Sequence, residues 1–130
     1  MPVEGATRAP LMDEETISAI DRTVLDRIRT IEAQGSPGLV KTIITHYVNE
    51  SPKTFASLQQ AIEANDAAAM QELAHSLKSA SANVGAQTLA EMCKEMELSG
   101  RTGTTQKGQE LLPQMRQEYD VATRALLTEL

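Results

Sequence analysis

Apolar residues recur every three or four positions from residue 17 to residue 126, and this spacing constrains the fold more than any other feature of the chain. A period near 3.6 residues is typical of helices that bury one face. Aromatic residues make up only 2% of the sequence, whereas strands are usually rich in aromatic and β-branched side chains. The sequence therefore predicts an all-α protein.

Glycine, proline and polar junctions divide this pattern into separate helices. The series from Ile17 to Ile31 predicts a first helix, which stops at residues 34–38. Ser36 followed by Pro37 is typical of an N-cap and a first helical residue, so the second helix should begin there. In each of three helices the apolar residues lie on one face. In the second helix these are Val40, Ile43, Ile44, Tyr47, Val48, Phe55, Leu58, Ala61 and Ile62. In the last two helices they are Leu89, Met92, Cys93 and Met96, and then Leu111, Leu112, Met115, Tyr119, Ala122 and Leu126.

Individual residues refine these boundaries. Pro52 should kink or briefly interrupt the second helix because it lacks a backbone donor, and Pro113 should be a kink or a first-turn residue of the last helix. Asp66 is a favourable N-cap for the third helix. Gly85 should end that helix in the left-handed conformation, which glycine adopts without steric cost. A turn is predicted at residues 99–104.

The connections between these segments are short, so consecutive helices should run antiparallel. We therefore predict an antiparallel four-helix bundle over about residues 37–128, with an additional N-terminal helix packed on one end. Residues 1–11 contain two prolines and a glycine and are interpreted as a flexible tail or linker. Residues 12–130 then form the single domain.

Charge and composition exclude several classes of function. The net charge of −6 and the scattered basic residues argue against a nucleic-acid partner, which would require a basic stripe. The sequence has no apolar run long enough for a membrane helix and no signal-peptide pattern, so we expect a cytoplasmic protein. Cys93, the single cysteine, excludes an internal disulfide and is expected in the core. His46 should face solvent, and the methionines at core spacing should be packing residues.

His75 stands out because it lies opposite the core face of its own helix. Seven residues gather on that core face: Met70, Leu73, Ala74, Leu77, Ala80, Ser81 and Val84. His75 lies about 160° away by helical geometry. Its neighbours on the exposed face are small or polar, namely Gln71, Glu72, Ser79 and Ala82, with Lys78 one turn away. This open surface suggests that the imidazole has a chemical role.

Two catalytic interpretations of His75 fail for lack of partners. Glu72 and His75 have the spacing of a di-iron motif, but such sites need a second motif, and Ile43 stands three residues before His46. We therefore expect no metal. A nucleophilic hydrolase would need a cleft with free hydrogen-bond donors, which Ser79 on a helix surface does not have. No glycine-rich phosphate loop is present, so we expect no ATP site of the chain's own and no cofactor.

Phosphoryl transfer remains consistent with these residues. A neutral imidazole can accept and release a phosphoryl group, and Lys78 could partly neutralise the phosphate charge. Ser79 and Ala82 would keep the surface low, so that another protein could dock on the ring, and Gln71 and Glu72 would complete this docking surface. In an antiparallel hairpin that turns at Gly85, Glu97 lies level with the histidine and could orient its ring, or it could be an ordinary solvated charge.

The segment from His75 to Ala86 resembles the signature of histidine-containing phosphotransfer (HPt) domains, written H-x-L-K-G-S-S-x-x-x-G-A. The matching residues are His75, Leu77, Lys78, Ser81, Gly85 and Ala86. Ser79 and Ala80 replace a glycine and a serine, and both are small. Further similar positions extend over about 110 residues: Ile20, Asp21, Val24, Leu25, Tyr47, Ala61 to Asp66, Leu89, Cys93, Met96, Glu97, Gly103, Leu111, Leu112 and Tyr119.

The resemblance implies a phosphorelay intermediate. A receiver domain, such as that of a hybrid sensor histidine kinase, would pass a phosphoryl group from an aspartate to Nε2 of His75, and a second receiver would collect it. Mg²⁺ would belong to the receiver, and this chain would be a monomeric phosphocarrier. The alternative is a helical adaptor with an HPt-like fold that binds a receiver or another partner without phosphotransfer. The pair of His75 and Lys78 speaks against that alternative, because an adaptor does not need it.

Overall fold

The computed structural model describes residues 20–130, which contain five α-helices and no strand. The helices are α1 (Arg22–Ala33), α2 (Leu39–Glu63), α3 (Ala67–Asn83), α4 (Gln87–Arg101) and α5 (Gln106–Leu127). The predicted all-α class is confirmed. The predicted tail at residues 1–11, and Ile17 with it, lie outside the described residues.

Helices α2 to α5 form an antiparallel bundle around one apolar core. The turns between them are short, and each helix packs against the next, while α5 also packs against α2. The largest side chains with almost no exposed surface come from all five helices: Leu25, Ile44, Phe55, Leu58, Met70, Leu77, Leu89, Met96, Met115 and Leu126. The four-helix bundle with an additional N-terminal helix is confirmed.

Helix α1 lies at the end of the bundle where α3 turns into α4 and where α5 stops. The backbone amide of Asp21 donates to the carbonyl of Gly85 at 2.6 Å. Arg22 and Arg29 of α1 also form ion pairs with the carboxylate of Glu129, which follows α5, at 3.0 and 2.8 Å. These contacts attach the N-terminal helix to the turn between α3 and α4 and to the end of α5.

The start of α1 differs from the sequence prediction. Ile20 is buried but precedes the helix, because Asp21 is the N-cap and accepts a hydrogen bond from the amide of Thr23 at 3.0 Å. Ile31, which was expected on the buried face, is 49% exposed, and Leu25 is fully buried instead. The reason is that α1 contacts the bundle on one side only, so its buried face is narrower than its apolar stripe.

The predicted start of α2 at Ser36 and Pro37 is wrong. The helix begins at Leu39, and its N-cap is Gly38 in the left-handed conformation, with φ of 79° and no side-chain cap. A carboxylate from α1 supplies the missing acceptor, since Glu32 accepts a hydrogen bond from the amide of Val40 at 3.1 Å. A tertiary contact thus replaces the local cap that the sequence suggested.

The two internal prolines are accommodated without ending their helices. Helix α2 continues through Pro52, so the predicted interruption does not occur. Proline cannot donate to the carbonyl one turn earlier, and that carbonyl, of Val48, instead accepts a hydrogen bond from the hydroxyl of Tyr119 at 3.3 Å. Pro113 lies inside α5, which begins at Gln106, so of its two predicted roles the place in the first turn is excluded.

Both ends of α3 are capped as predicted, and this positions the residues between them. Asp66 accepts a hydrogen bond from the amide of Ala69 at 3.0 Å. At the other end, Gly85 has φ of 85°, and the amides of Gly85 and Ala86 donate to carbonyls in the last turn of α3. This is the Schellman arrangement, in which a left-handed residue closes the helix.

Candidate functional site

His75 projects from the exposed face of α3, as its helical phase predicted. Its side chain is 60% exposed, whereas Met70, Ala74 and Leu77 on the other face are buried. Of the remaining predicted core residues, Ser81 and Val84 are buried, and Leu73 and Ala80 are partly buried. The imidazole is therefore accessible while its helix is anchored beneath it.

Glu97 on α4 lies within hydrogen-bonding distance of the imidazole. Its Oε2 is 2.9 Å from Nδ1 of His75. The carboxylate belongs to a residue that is only 6% exposed, because α4 places it next to the core residues Cys93 and Met96. The antiparallel turn at Gly85 brings this pair together across the α3–α4 interface, where the two helices make their most extensive packing.

Two cations share the same carboxylate. The Nζ of Lys78 donates to Oε1 of Glu97 at 2.6 Å. Arg101, one turn after Glu97 on α4, approaches Oε2 at 3.5 Å from an exposed position. Glu97 therefore contacts three side chains at once, and Lys78 is directed toward this carboxylate rather than toward open solvent.

The charge of Glu97 is stabilised by these contacts. The hydrogen bond from Lys78 lowers the pKa of the carboxyl below its usual value, the contact with His75 lowers it further, and desolvation opposes both without cancelling them. An ionised carboxylate can only accept hydrogen bonds. Nδ1 of His75 must therefore carry a proton in this arrangement, which leaves Nε2 as the unprotonated nitrogen of a neutral ring.

The residues expected to form a docking surface surround the imidazole on α3. Glu72 and Ser79 are exposed, and Gln71 and Ala82 are partly exposed. Ser79 and Ala82 add little volume beyond the backbone, so the surface next to the ring is low. Gly85 follows the last turn of the same helix, ten residues after His75.

Three other predictions concern residues outside this cluster. Cys93 is fully buried, and burial raises the pKa of its thiol to about 12, which fits a packing residue. His46 is exposed on α2, as predicted. Met70, Met96 and Met115 are fully buried and Met92 is partly buried, so all four pack in or against the core. Between Ile20 and Leu130, no group of three potential metal-ligating side chains occurs.

Sequence reasoning missed Arg101. Its spacing of one turn from Glu97 places both on one side of α4, and this was the available signal. This spacing indicates a role for Arg101 only once Glu97 is known to contact His75, and that contact is a tertiary one. Within the described part of the chain, no helix is both long and apolar enough to span a membrane.

The fold and site together define a helical bundle that exposes one histidine beside a buried carboxylate. Residues 42–125 match the Hpt domain family, and the chain belongs to that family. The family predicted from the segment His75–Ala86 is thereby confirmed.

Individual relatives agree with this assignment. The chain is 32% identical to histidine-containing phosphotransfer protein B (HptB) of Pseudomonas aeruginosa PAO1, with a TM-score of 0.76 over 85% of this chain and 93% of HptB. Ypd1p has a similar fold, with a TM-score of 0.70 at 21% identity over 85% of this chain and 92% of Ypd1p. Multistep phosphorelay regulator 1 of Schizosaccharomyces pombe is 30% identical over 81 residues, which are 62% of this chain and 28% of that protein. The chain thus spans under a third of the length of this curated relative.

Proposed function

We propose that this chain is a phosphorelay intermediate that accepts a phosphoryl group on Nε2 of His75 and passes it on. The donor is an aspartyl phosphate on a receiver domain, and the acceptor is an aspartate on a second receiver. In the first step the P–O bond of the aspartyl phosphate breaks and an Nε2–P bond forms. The second step reverses these changes on the other receiver.

The contact between His75 and Glu97 carries this proposal. The carboxylate binds Nδ1 at 2.9 Å, so the ring is held with its other nitrogen directed away from Glu97. Such ring-fixing partners select one tautomer and set the basicity of the free nitrogen. A histidine that only solvated the surface would not need a partner with an 8% exposed side chain.

Lys78 supplies the positive charge that a phosphoryl group on His75 requires. A phosphoryl group brings about two negative charges, and an ammonium group with three donors can contact more than one acceptor. Lys78 already contacts Glu97 at 2.6 Å. We expect its remaining donors to bind the phosphoryl oxygens.

The other components of the reaction belong to the partner. The chain is a phosphocarrier without its own nucleotide site, and the receiver contributes Mg²⁺ and the acidic pocket. A hybrid sensor histidine kinase is one source of such a receiver. A monomeric state, the absence of nucleic-acid and membrane partners, and a cytoplasmic location remain predictions from the sequence.

A transfer assay with His75→Gln tests the proposal. The protein is incubated with a receiver domain phosphorylated from a small-molecule donor, and label on the chain is followed by its lability to acid and stability to base. We expect wild type to acquire such label and His75→Gln to acquire none. His46→Gln is the matched control, because it removes the exposed histidine on α2 and should leave labelling intact.

Two outcomes of that assay would contradict the proposal. Equal labelling of wild type and His75→Gln would mean that another residue accepts the phosphoryl group. Receiver binding without any transfer, with a receiver known to be phosphorylated, would instead support the helical adaptor.

Ser79→Arg tests whether the low surface next to His75 admits a receiver. Ser79 is exposed one turn after His75, so an arginine there should obstruct docking and reduce the transfer rate by at least about tenfold, equivalent to about 1.4 kcal/mol. Gln117→Arg places the same side chain on the exposed face of α5 and should have no effect. Unchanged transfer by Ser79→Arg, at unchanged helicity, would show that the receiver docks elsewhere.

A further inference from the structure

We propose that Tyr47 and Ser81 are positioning residues, whose buried hydrogen bond fixes the rotation of α3 about its own axis and so keeps His75 beside Glu97. The inference goes beyond the proposed function, because it concerns the core contact that orients the helix carrying the histidine. Its importance for phosphoryl transfer rests on the proposed function.

The hydrogen bond between Tyr47 and Ser81 lies inside the bundle. The hydroxyl of Tyr47 on α2 is 2.7 Å from Oγ of Ser81 on α3, and the two residues are 3% and 0% exposed. Burial raises the pKa of Tyr47 and the bond with Ser81 opposes this only in part, so the hydroxyl keeps its proton at neutral pH. A hydrogen bond depends on direction as well as distance, so this pair can select one arrangement of α3.

Tyr47 is held in place by groups on α2 and α5. The hydroxyl of Ser51, a buried residue one turn later on α2, interacts with those of both Tyr47 and Tyr119. The rings of Tyr47 and Tyr119 pack with their centroids 5.7 Å apart, and the hydroxyl of Tyr119 donates to the carbonyl of Val48. Tyr47 therefore provides a fixed point against which α3 can be oriented.

The remaining side chains of α3 do little to fix its rotation. Six alanines and three serines are among its 17 residues, and its large apolar side chains are Met70, Leu73 and Leu77. Small side chains form low ridges for packing against a neighbouring helix, and methionine adapts to different surroundings. Apolar contact is also non-directional. A helix of this composition therefore gains a single rotation from a directional bond in its core.

The contact between α3 and α4 sets the distance between these helices but not the rotation of α3. Their backbones come close at Gly100, where an added Cβ would lie 2.9 Å from the carbonyl oxygen of Ala67 and 3.0 Å from Cβ of Gln71. Glycine has no side chain that could interlock with α3. Close approach at this point therefore still permits α3 to turn against α4.

A small rotation of α3 would separate His75 from Glu97. Side chains extend about 5 Å from the helix axis, so a rotation of about 20° moves their atoms by about 2 Å. Nδ1 of His75 is 2.9 Å from Oε2 of Glu97, and hydrogen bonds of this kind are confined to distances below about 3.2 Å. Ser81 lies about 9 Å along the helix from His75, so its bond with Tyr47 fixes the rotation at both positions.

The test removes the hydrogen bond without leaving a hydroxyl unpaired. Tyr47→Phe/Ser81→Ala replaces both partners by apolar groups of similar shape, which is nearly neutral for stability. The parent protein and all variants carry His46→Gln, so that His75 is the only histidine. Nitrogen NMR at a pH where the ring is neutral measures its two tautomers. Phosphorylation by phosphoramidate then gives a rate that needs no receiver.

We expect the parent protein to hold the proton on Nδ1 of His75. The double variant should populate both tautomers and react several-fold more slowly with phosphoramidate, while its midpoint of urea unfolding stays close to that of the parent. Tyr47→Phe alone should show the same change in the ring with a lower midpoint, because Ser81 keeps a buried hydroxyl without its partner.

Val121→Ala is the control for a loss of stability alone. Val121 is buried on α5, a helix that packs mainly against α4 and α2. Its substitution removes two buried methyl groups and should lower the midpoint of urea unfolding. Both the tautomers of His75 and the rate with phosphoramidate should stay as in the parent protein.

Two results would overturn the inference. One is a double variant with the tautomers and the rate of the parent protein, since the bond would then contribute only to stability. The other is an equal change of the ring in Val121→Ala, since any loss of stability would then disturb it. Neither measurement involves a receiver. A parent protein that receives no phosphoryl group from any receiver, together with the expected change in the double variant, would refute the relay and keep the positioning role.

Discussion

Glu97 is a buried ionisable residue, and its neighbours determine whether its carboxyl group is charged. Desolvation alone would favour the neutral acid, but the hydrogen bond from Lys78 and the contact with His75 outweigh it, so the pKa is lowered. The consequence is a carboxylate that is ionised at neutral pH beneath an exposed histidine. At this scale, one buried acceptor determines which imidazole nitrogen is free.

The lowered pKa of Glu97 predicts an acid-dependent part of the stability. A group with a depressed pKa in the folded state contributes stability above its unfolded value of 4.5, and this contribution is lost as pH falls through the folded pKa. The free energy of unfolding of wild type should therefore approach that of Glu97→Gln as pH falls below 4.5 and through the lowered pKa. Urea denaturation at several pH values measures the difference, and a pH-independent gap would contradict the prediction.

Ser81 and Ser79 lie on one helix and should respond differently to the same substitution. Ser81 is fully buried, and its Oγ is 2.7 Å from the hydroxyl of Tyr47 on α2. Ser81→Ala should cost about 1 kcal/mol, because a buried hydrogen bond is lost. Ser79→Ala is the control at an exposed position and should stay within about 0.5 kcal/mol of wild type. Equal midpoints of urea unfolding for the two variants would refute this role for Ser81.

Helix α3 is defined by its two caps, and these were readable from the sequence. Asp66 and Gly85 are local signals, since an N-cap and a left-handed terminal residue depend on their own backbone neighbours. The start of α2 was not readable, because its amide of Val40 is capped by Glu32 from another helix. Continuity through Pro52 likewise depends on a distant hydroxyl, that of Tyr119.

Gly85 and Gly103 offer a comparison at the level of helix ends. Both have positive φ, 85° and 88°, but a Cβ on Gly85 would lie 2.5 Å from the carbonyl oxygen of Asp21, whereas one on Gly103 would meet nothing within 4 Å. Gly103→Ala should cost about 1 kcal/mol from backbone strain alone. Gly85→Ala should cost clearly more, because the first residues of α1 must also move away.

Thermal or urea unfolding of the two glycine variants measures this difference. Amide exchange at Asp21 reports separately on its hydrogen bond to the carbonyl of Gly85. Protection at Asp21 should fall in Gly85→Ala and persist in Gly103→Ala. Equal stability of the two variants would mean that the first residues of α1 can move away from position 85 without a loss of free energy of unfolding.

The whole molecule is a bundle to which α1 is attached by few contacts. Leu25 supplies the buried apolar contact, and Arg22 and Arg29 contribute the ion pairs to Glu129, whose side chain is 9% exposed. Partly buried pairs of this kind are screened less by salt than exposed ones. We expect α1 to be the part of the described fold that separates most easily from the rest.

Glu129→Gln tests this attachment. The substitution should increase amide exchange in α1 several-fold, equivalent to about 1 kcal/mol, while exchange in α3 and α4 stays unchanged. Lys53→Ala is the control, because its pair with Glu50 is exposed and local and should contribute little. Equal changes in α1 and in the bundle would show that the five helices unfold as one cooperative unit.

The sequence by itself determined the helical class, the antiparallel order, the exposed phase of His75 and both caps of α3. These features follow from periodicity, short connections and local backbone chemistry. Only the tertiary structure decided that Glu97 is buried against His75, that Lys78 and Arg101 share its carboxylate, and that Glu32 and Tyr119 complete α2. Most of these contacts join groups on different helices, and the pair of Arg101 and Glu97 matters only because Glu97 contacts His75 on another helix. The distances between groups on different helices are set by side-chain packing and not by the local sequence pattern.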